Sequence, residues 1–431
     1  MAEATTNAKV GKPDTYILGI YITLLVISVV ESYSASSREI KNDLMEPMVR
    51  QLTYLAIGVV TMIACSRINY TKYVNYGNVF SLIAIGLMLF AAFFGKNING
   101  AQRAVHLPGF TIQPAELAKV AIVFLLSLVM ATNIDHKQGR IKDRGLWISA
   151  VIVGMFGSLL VMQGMTNTLL FVLISLSLII IGKVSGKAFM RAVLLFSVVV
   201  AILFGIKSCA EANTLSDPEK AETEQTKQAA KATTPRASRR RESITKPYFF
   251  ERFRTPLYEQ EITEKNDQEM YSYMAQAHGG IFGVLPGNSR ECSRLPLAFS
   301  DYVFSIIVEE LGLFGGLFLI GLFFPLLMRA GNIARKCNRA YPAFLVMGMA
   351  VMVVLQAYFH MAINTGVFPV SGQPLPLISK GGTSVLVISI AFGVMLSVSR
   401  TATQTSAEKD VRKEKEALPE SMRAANPTRN D

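Results

Sequence analysis

The chain has 431 residues, of which 51% are hydrophobic and only 17% charged, with a formal net charge of +12 and a mean hydropathy of +0.36. Soluble domains carry about 25% charged residues, so these values exclude a soluble globular protein. The basic excess calls for no nucleic-acid partner, because orientation across a membrane accounts for most of it.

Ten apolar runs of near-spanning length follow in chain order: 16–34, 52–66, 77–95, 117–132, 146–163, 168–183, 187–206, 302–328, 342–363 and 382–399. A helix crossing ~30 Å of hydrocarbon needs about 20 residues, so the fold class is an all-α polytopic membrane protein with about ten transmembrane helices. The first run follows a polar segment and lacks a small-residue cleavage site, so it reads as an anchor. An even number of spans leaves both termini on one side. Placing them in the cytoplasm puts fifteen Lys and Arg in short cytoplasmic loops against six outside, the bias expected of inward-facing loops. The chain then divides into a cytoplasmic tail (1–15), seven spans (16–206), a large extracytoplasmic loop (207–300), three more spans (301–399) and a second cytoplasmic tail (400–431).

The first polar signal comes between spans three and four. "NGAQRAVHLPGF" carries Arg103 on the outer side, and "IQPAELAKV" follows with Glu116 and Lys119 three residues apart. That spacing puts both on one helical face, and Pro114 suits the first turn. The pair reads either as a mutually neutralised patch inside the bundle or as a cation aimed at a phosphate.

Residues 207–245 are rich in Ala, Thr, Glu and Lys without an apolar period, the pattern of a disordered segment. The second half of the loop changes character. "FERFR" supplies Arg252 and Arg254, and Gly and Pro stud the approach to span eight. Cys209 and Cys292 share this loop and could form a disulfide in an oxidising exterior. No spacing of cysteines marks a metal site.

At the mouth of span eight stands "SDYVFSIIVEELG". Asp301 there reads as a helix N-cap, as a rigidly placed general base, or as both. Glu309 lies about 80° around the helix and about 12 Å deeper, and Glu310 points elsewhere, so neither forms a close dyad with Asp301. Their charge predicts that both face protein or a wet cavity. Finally "NTGVFPVSGQPLPLISKGGTS" (364–384) carries too much Gly and Pro for a continuous helix. It predicts a broken passage buried in protein or lining a cavity.

These residues resemble the SEDS family, the group containing FtsW, RodA and SpoVE. The resemblance rests on "YSAS" (Tyr33–Ser36), "NGAQR", "IQPAELAK", "LPLAFSDYVFSIIVEELG" and "LPLISKGGTS", in that order. It implies a peptidoglycan glycosyltransferase that polymerises lipid II outside the bacterial cytoplasmic membrane, at the division septum in an FtsW-type member. It implies a class B penicillin-binding protein and other divisome proteins as partners. The family's essential acid corresponds to Asp301, which would deprotonate the attacking sugar hydroxyl while undecaprenyl diphosphate leaves. The expected substrate-binding residues are Lys119, Glu116, Arg103, Arg254, Ser379, Gly381 and Gly382. Cationic side chains, or a divalent cation such as Mg or Mn, would stabilise the leaving group, with no organic cofactor. An elongation role, a lipid II flippase and a non-catalytic scaffold are the alternatives.

The chain departs from the family pattern at three places. Ala104 stands where many relatives have tryptophan. "MQGMTNT" (162–168) lacks an acid that relatives often carry. Lys380 replaces a common tyrosine, a variant similar to FtsW of Bacteroidetes-type bacteria.

Overall fold

The computed structural model describes residues 13–38, 45–94, 96–98, 101–107, 110–135, 140–182, 190, 267–295, 298–368, 372–403, 418–419 and 422. The seventh apolar run (187–206), the stretch 207–266 with Cys209 and Arg254, and hence the proposed Cys209–Cys292 pairing lie outside them.

Membrane-length helices dominate. They are α1 (Thr15–Arg38), α2 (Met45–Arg67), α3 (Tyr73–Phe94), α4 (Pro114–Thr132), α5 (Asp143–Gln163) and α6 (Met165–Ile181). Further along the chain come α7 (Asp267–Gly279), the single turn α8 (Ala298–Asp301), α9 (Val303–Lys336), α10 (Ala340–Asn364) and α11 (Gly382–Thr403). Among the described residues, eight helical stretches are long and apolar enough to cross a membrane, and Thr166–Ile181 is a shorter apolar helix. The chain is a multi-pass membrane protein.

Two small sheets accompany the helices. β1 (Lys96–Ile98), β2 (Ala101–Leu107) and β3 (Phe110–Ile112) form an antiparallel three-stranded sheet between α3 and α4. Arg103 lies on β2. Val105 faces Ile112 and Leu107 faces Phe110, an alternation too short to register in a search for spanning runs. β4 (Ile134–Asp135) and β5 (Arg140–Ile141) make a minimal hairpin between α4 and α5.

α10 and α11 are the central helices, with 83% of their spanning windows buried, and α4 follows at 72%. α10 packs against α4, α6, α9 and α11, while α11 packs closely on α2. By contrast α9 keeps an exposed apolar stripe through Leu313, Phe314, Leu317, Phe318, Phe324 and Met328, the surface a helix offers to lipid. At the other end Asp14 closes the bundle. Its Oδ1 accepts from the Tyr16 and Ile17 amides at 3.0 and 3.2 Å, an N-cap for α1. Its Oδ2 meets Arg329 Nε of α9 at 2.7 Å, and its own amide donates to Ser399 Oγ of α11 at 3.1 Å.

The eighth predicted run is not one straight rod. At 34 residues and 1.5 Å per residue, α9 would reach about 51 Å, longer than any hydrocarbon core requires. It breaks at Gly312, whose φ of 71° and ψ of −171° are not helical and are essentially glycine-only. The loop after α7 repairs the break. The Val284 and Leu285 amides donate to the Glu309 and Glu310 carbonyls at 3.0 and 2.8 Å, and the Leu313 amide donates to the Gly280 carbonyl at 3.0 Å. Backbone groups freed inside the membrane need such partners. Residues 303–310 are buried in protein, and large exposed apolar side chains begin at Leu313.

Candidate active site

Asp301 ends the single turn α8, and Tyr302, not Asp301, is the N-cap of α9, with no side-chain hydrogen bond in that role. Capping passes to Asn364 at the far end of α10. Its Oδ1 accepts from the Ser305 amide at 3.3 Å and from Ser305 Oγ at 3.1 Å, while its Nδ2 donates to the Asp301 carbonyl at 3.0 Å. The Asp301 carboxylate is therefore not committed to the amides of α9. Ser300 Oγ donates to its Oδ1 at 2.9 Å, and the residue is half-buried.

The broken passage after α10 is where the other expected residues converge. Gly372 lies against the Asp301 side chain, so close that a Cβ built there would stand 3.3 Å from Oδ2. The next residue, Gln373, takes a hydrogen bond from His360 Nδ1 on its carbonyl at 2.6 Å and donates from Nε2 to Asn167 Oδ1 at 2.6 Å. The carbonyl partner requires Nδ1 of His360 to carry the hydrogen. Asn167 belongs to "MQGMTNT", so an amide–amide contact occupies the region where an acid is missing.

One residue further, the Pro374 carbonyl accepts from Gln356 Nε2 at 3.1 Å. Gln356 in turn joins the Glu116–Lys119 pair. Lys119 Nζ lies 2.6 Å from Glu116 Oε1 and 2.9 Å from Gln356 Oε1, and Glu116 and Lys119 are each 1% exposed. The i, i+3 spacing thus brings the two side chains together as the helical period requires, and it leaves them enclosed. Ser379 is buried too. Its Oγ donates to the Ser300 carbonyl at 2.7 Å and accepts from the Leu375 amide at 2.8 Å, tying the passage to the residue before Asp301. Gly381 and Gly382 lead into α11, and Lys380 Nζ sits 5.0 Å over the Phe299 ring. The geometry at Arg103 and Arg254 lies outside the described side chains.

Glu309 and Glu310 are fully buried and hold the loop that precedes Asp301. Glu309 accepts from Ser289 Oγ and from the Arg290 amide at 2.8 Å, and His278 Nδ1 lies 2.8 Å from its Oε1. Glu310 accepts from Ser34 Oγ of α1 and from the Gly287 amide at 3.1 Å.

Sequence reading missed Gln356 and His360, and took Asn364 only as the first residue of the broken passage. They recur every fourth residue in the otherwise apolar "LQAYFHMAIN", so a polar stripe on one helical face was available as a signal. Gln373 and Gly372 offered none.

Comparison with known proteins follows the same outline. The family model described as cell cycle protein, for FtsW, RodA and SpoVE, matches residues 14–404. The chain is 29% identical over 410 residues to the protein of Trichlorobacter lovleyi named "probable peptidoglycan glycosyltransferase FtsW", covering 91% of this chain and 94% of that one. The crystal structure of the Thermus thermophilus rod shape determining protein RodA superposes with a TM-score of 0.60 at 18% identity, over 91% of this chain and 98% of that one. A chain of a peptidoglycan synthase complex, described as coordinating polymerization and crosslinking, superposes with a TM-score of 0.62 at 20% identity, over 91% and 99%.

Proposed function

Because the chain belongs to the cell cycle protein family of FtsW, RodA and SpoVE, we propose that it is a peptidoglycan glycosyltransferase with Asp301 as its general base. The supporting observation is the setting of Asp301. Its backbone is pinned by Asn364, Tyr302 takes the N-cap position of α9, Ser300 donates to its carboxylate, and Gly372 lies against it. A carboxylate on a backbone so pinned is fixed in place, as proton abstraction from a sugar hydroxyl demands.

In this reading the substrate is lipid II. Asp301 takes the proton of the attacking hydroxyl, the oxygen attacks the anomeric carbon, and undecaprenyl diphosphate departs. A single essential carboxylate suits an inverting displacement with a good leaving group, in contrast to the carboxyl pair of hydrolases. Lys119 and Glu116 act from behind the broken passage: Gln356 links them to Pro374, two residues from Gly372. Arg103 and Arg254 are proposed to meet the diphosphate at the outer surface.

A divalent cation fits this donor set in one way. Among the described residues no group of three or more His, Cys, Asp or Glu could hold a metal. Asp301 alone suits a magnesium-type ion that takes most of its other oxygens from substrate phosphates and water. Asp301 and Ser300 would hold it, and it would neutralise charge on the leaving diphosphate.

The name of the T. lovleyi relative supports division over elongation. The synthase-complex neighbour supports a membrane-bound crosslinking partner, here a class B penicillin-binding protein. The positive-inside bias supports cytoplasmic termini in the bacterial inner membrane, with the site facing outward.

The test is glycan-strand formation from purified lipid II by the protein with its partner, transpeptidation blocked, comparing wild type with Asp301→Asn. Polymer from the wild type alone, with equal thermal unfolding of the two proteins, is the expected result. Equal polymer from both removes Asp301 from the mechanism. No polymer from either points to a flippase or scaffold.

A further inference from the structure

The buried stripe of α1 changes chemistry as it climbs. Tyr21 and Leu24 give way to Ser28, Glu31 and Ser34, all enclosed. Ser28 accepts from Gln51 Nε2 of α2 at 3.4 Å, and Ser34 donates to Glu310 of α9. Glu31 stands between them, one turn from each, on the face turned toward Glu310. It is 2% exposed, and among the described residues neither of its carboxyl oxygens has a hydrogen-bond partner.

Glu31 is one turn from Ser34, which reaches Glu310, so this end of α1 encloses two carboxyls. Glu310 Oε1 receives two donors, the Ser34 hydroxyl and the Gly287 amide, the setting that stabilises a carboxylate. Glu31 receives none. An ionised Glu31 would be an unpaired charge in low dielectric beside another of the same sign, the costliest arrangement a buried acid can meet. The other elements packed on α1 offer no compensation among their described residues. α2 presents the neutral Gln51, with Arg50 exposed and Tyr54 near the same end; α8 carries Asp301; and the one charged residue of α11, Arg400, lies at its opposite end. On α9, the neighbouring Glu309 is engaged by His278, and Glu310 is the carboxyl that Ser34 of α1 reaches.

We propose that Glu31 and Glu310 together form a binding site for a single proton, carried on Glu31, which lets α1 and α9 close on each other and on the Gly287 loop that leads to Asp301. The pair then bears one negative charge, which Ser34 and Gly287 meet at Glu310 Oε1. Loss of the proton places a second charge in the joint and pushes α1 away from the loop.

The experiment uses the full chain in detergent and compares the pH dependence of Tm in the wild type and Glu31→Gln, which mimics the protonated acid. The sign follows from linkage. The folded wild type holds one proton that an unfolded glutamate releases above about pH 4.3, so its stability relative to the variant falls as pH rises, until Glu31 itself ionises in the fold. The expected result is a wild-type Tm that declines toward alkaline pH more steeply than that of Glu31→Gln, with the unfolding equilibrium changing about tenfold per pH unit between the two. Equal profiles overturn the proposal. Labelling with a hydrophobic carbodiimide, which attacks protonated carboxyls, locates the proton: adduct at Glu31 that fades with rising pH supports the assignment, and adduct at Glu310 instead overturns it. Protection by sodium or potassium at constant pH replaces the proton with an alkali-metal cation and overturns the proposal as well. None of these readouts depends on polymerase activity.

Discussion

Asn364 Nδ2 lies 3.0 Å from the backbone carbonyl of Asp301, a contact across 63 residues of sequence. The same side chain caps α9 through Ser305, and its backbone carbonyl accepts from Gln276 Nε2 of α7 at 2.7 Å. One residue thus joins the end of α10, the start of α9 and the helix ahead of the loop.

Asn364→Ala removes the donor to the Asp301 carbonyl and one of the two acceptors of the Ser305 amide, which keeps the Tyr302 carbonyl at 3.0 Å. Each lost buried hydrogen bond costs about 1–3 kcal/mol, and a loss of 1.4 kcal/mol in transition-state placement is about tenfold in rate. The expected outcome is a kcat lowered about 10- to 100-fold in the glycan-strand assay with KM changed far less. A purely structural role for Asn364 would lower the amount of folded protein and leave kcat per folded molecule intact.

Lys119→Met leaves Glu116 as a buried charge without its cation. Breaking one side of such a pair costs about 3–5 kcal/mol, whereas replacing both sides together is often close to neutral. Thermal unfolding in detergent should therefore show Glu116→Gln/Lys119→Met to be more stable than Lys119→Met alone. Activity of the double variant then tells whether the charge of Lys119 serves the reaction.

Gly312→Ala places a Cβ 2.3 Å from the Ile281 carbonyl oxygen and 2.5 Å from the Gly283 amide nitrogen, at a φ of 71°. Both neighbours are backbone, so neither yields easily, and a conformation essentially restricted to glycine adds about 1–3 kcal/mol of strain. A marked loss of folded protein on size-exclusion chromatography is expected. Gly321→Ala, in the same helix with nothing within 4 Å of its Cβ, should change stability by no more than about 1 kcal/mol.

Asp14 separates two effects at the other end of the bundle. Asp14→Asn keeps an acceptor for the Tyr16 and Ile17 amides and loses the charge facing Arg329. Asp14→Ala loses both. The alanine variant should be less stable than the asparagine variant by about 1 kcal/mol, the worth of an N-cap, read as a difference in Tm.

Much of the membrane frame could be read from local pattern alone. Hydropathy located the nine apolar helices that fall among the described residues, with ends that differ by up to about eight positions, as at α9, which continues to Lys336. The i, i+3 pair of Glu116 and Lys119 needed only the helical period. So did the breaking of the passage from 365 to 381, because Gly and Pro interrupt helices wherever they cluster.

What the tertiary structure alone decided is who meets whom. Gly312 is one of several glycines in "LGLFGGLFLIG", and nothing local separates it from Gly321, which stays helical. It breaks because a loop from before α9 returns to pair with the freed backbone. Glu309 and Glu310 look alike in sequence, yet one holds Ser289 and Arg290 while the other holds Ser34 and Gly287. Glu31 sits in the first apolar run, where an acid predicts an enclosed setting, but that neither of its oxygens meets a donor among the described residues appears only when α1 is packed against α9. The physical reason is one of range. Hydrophobicity and helical period act between residues a turn apart, whereas the donors that reach a buried carboxylate are fixed by segments that meet only when the chain has folded.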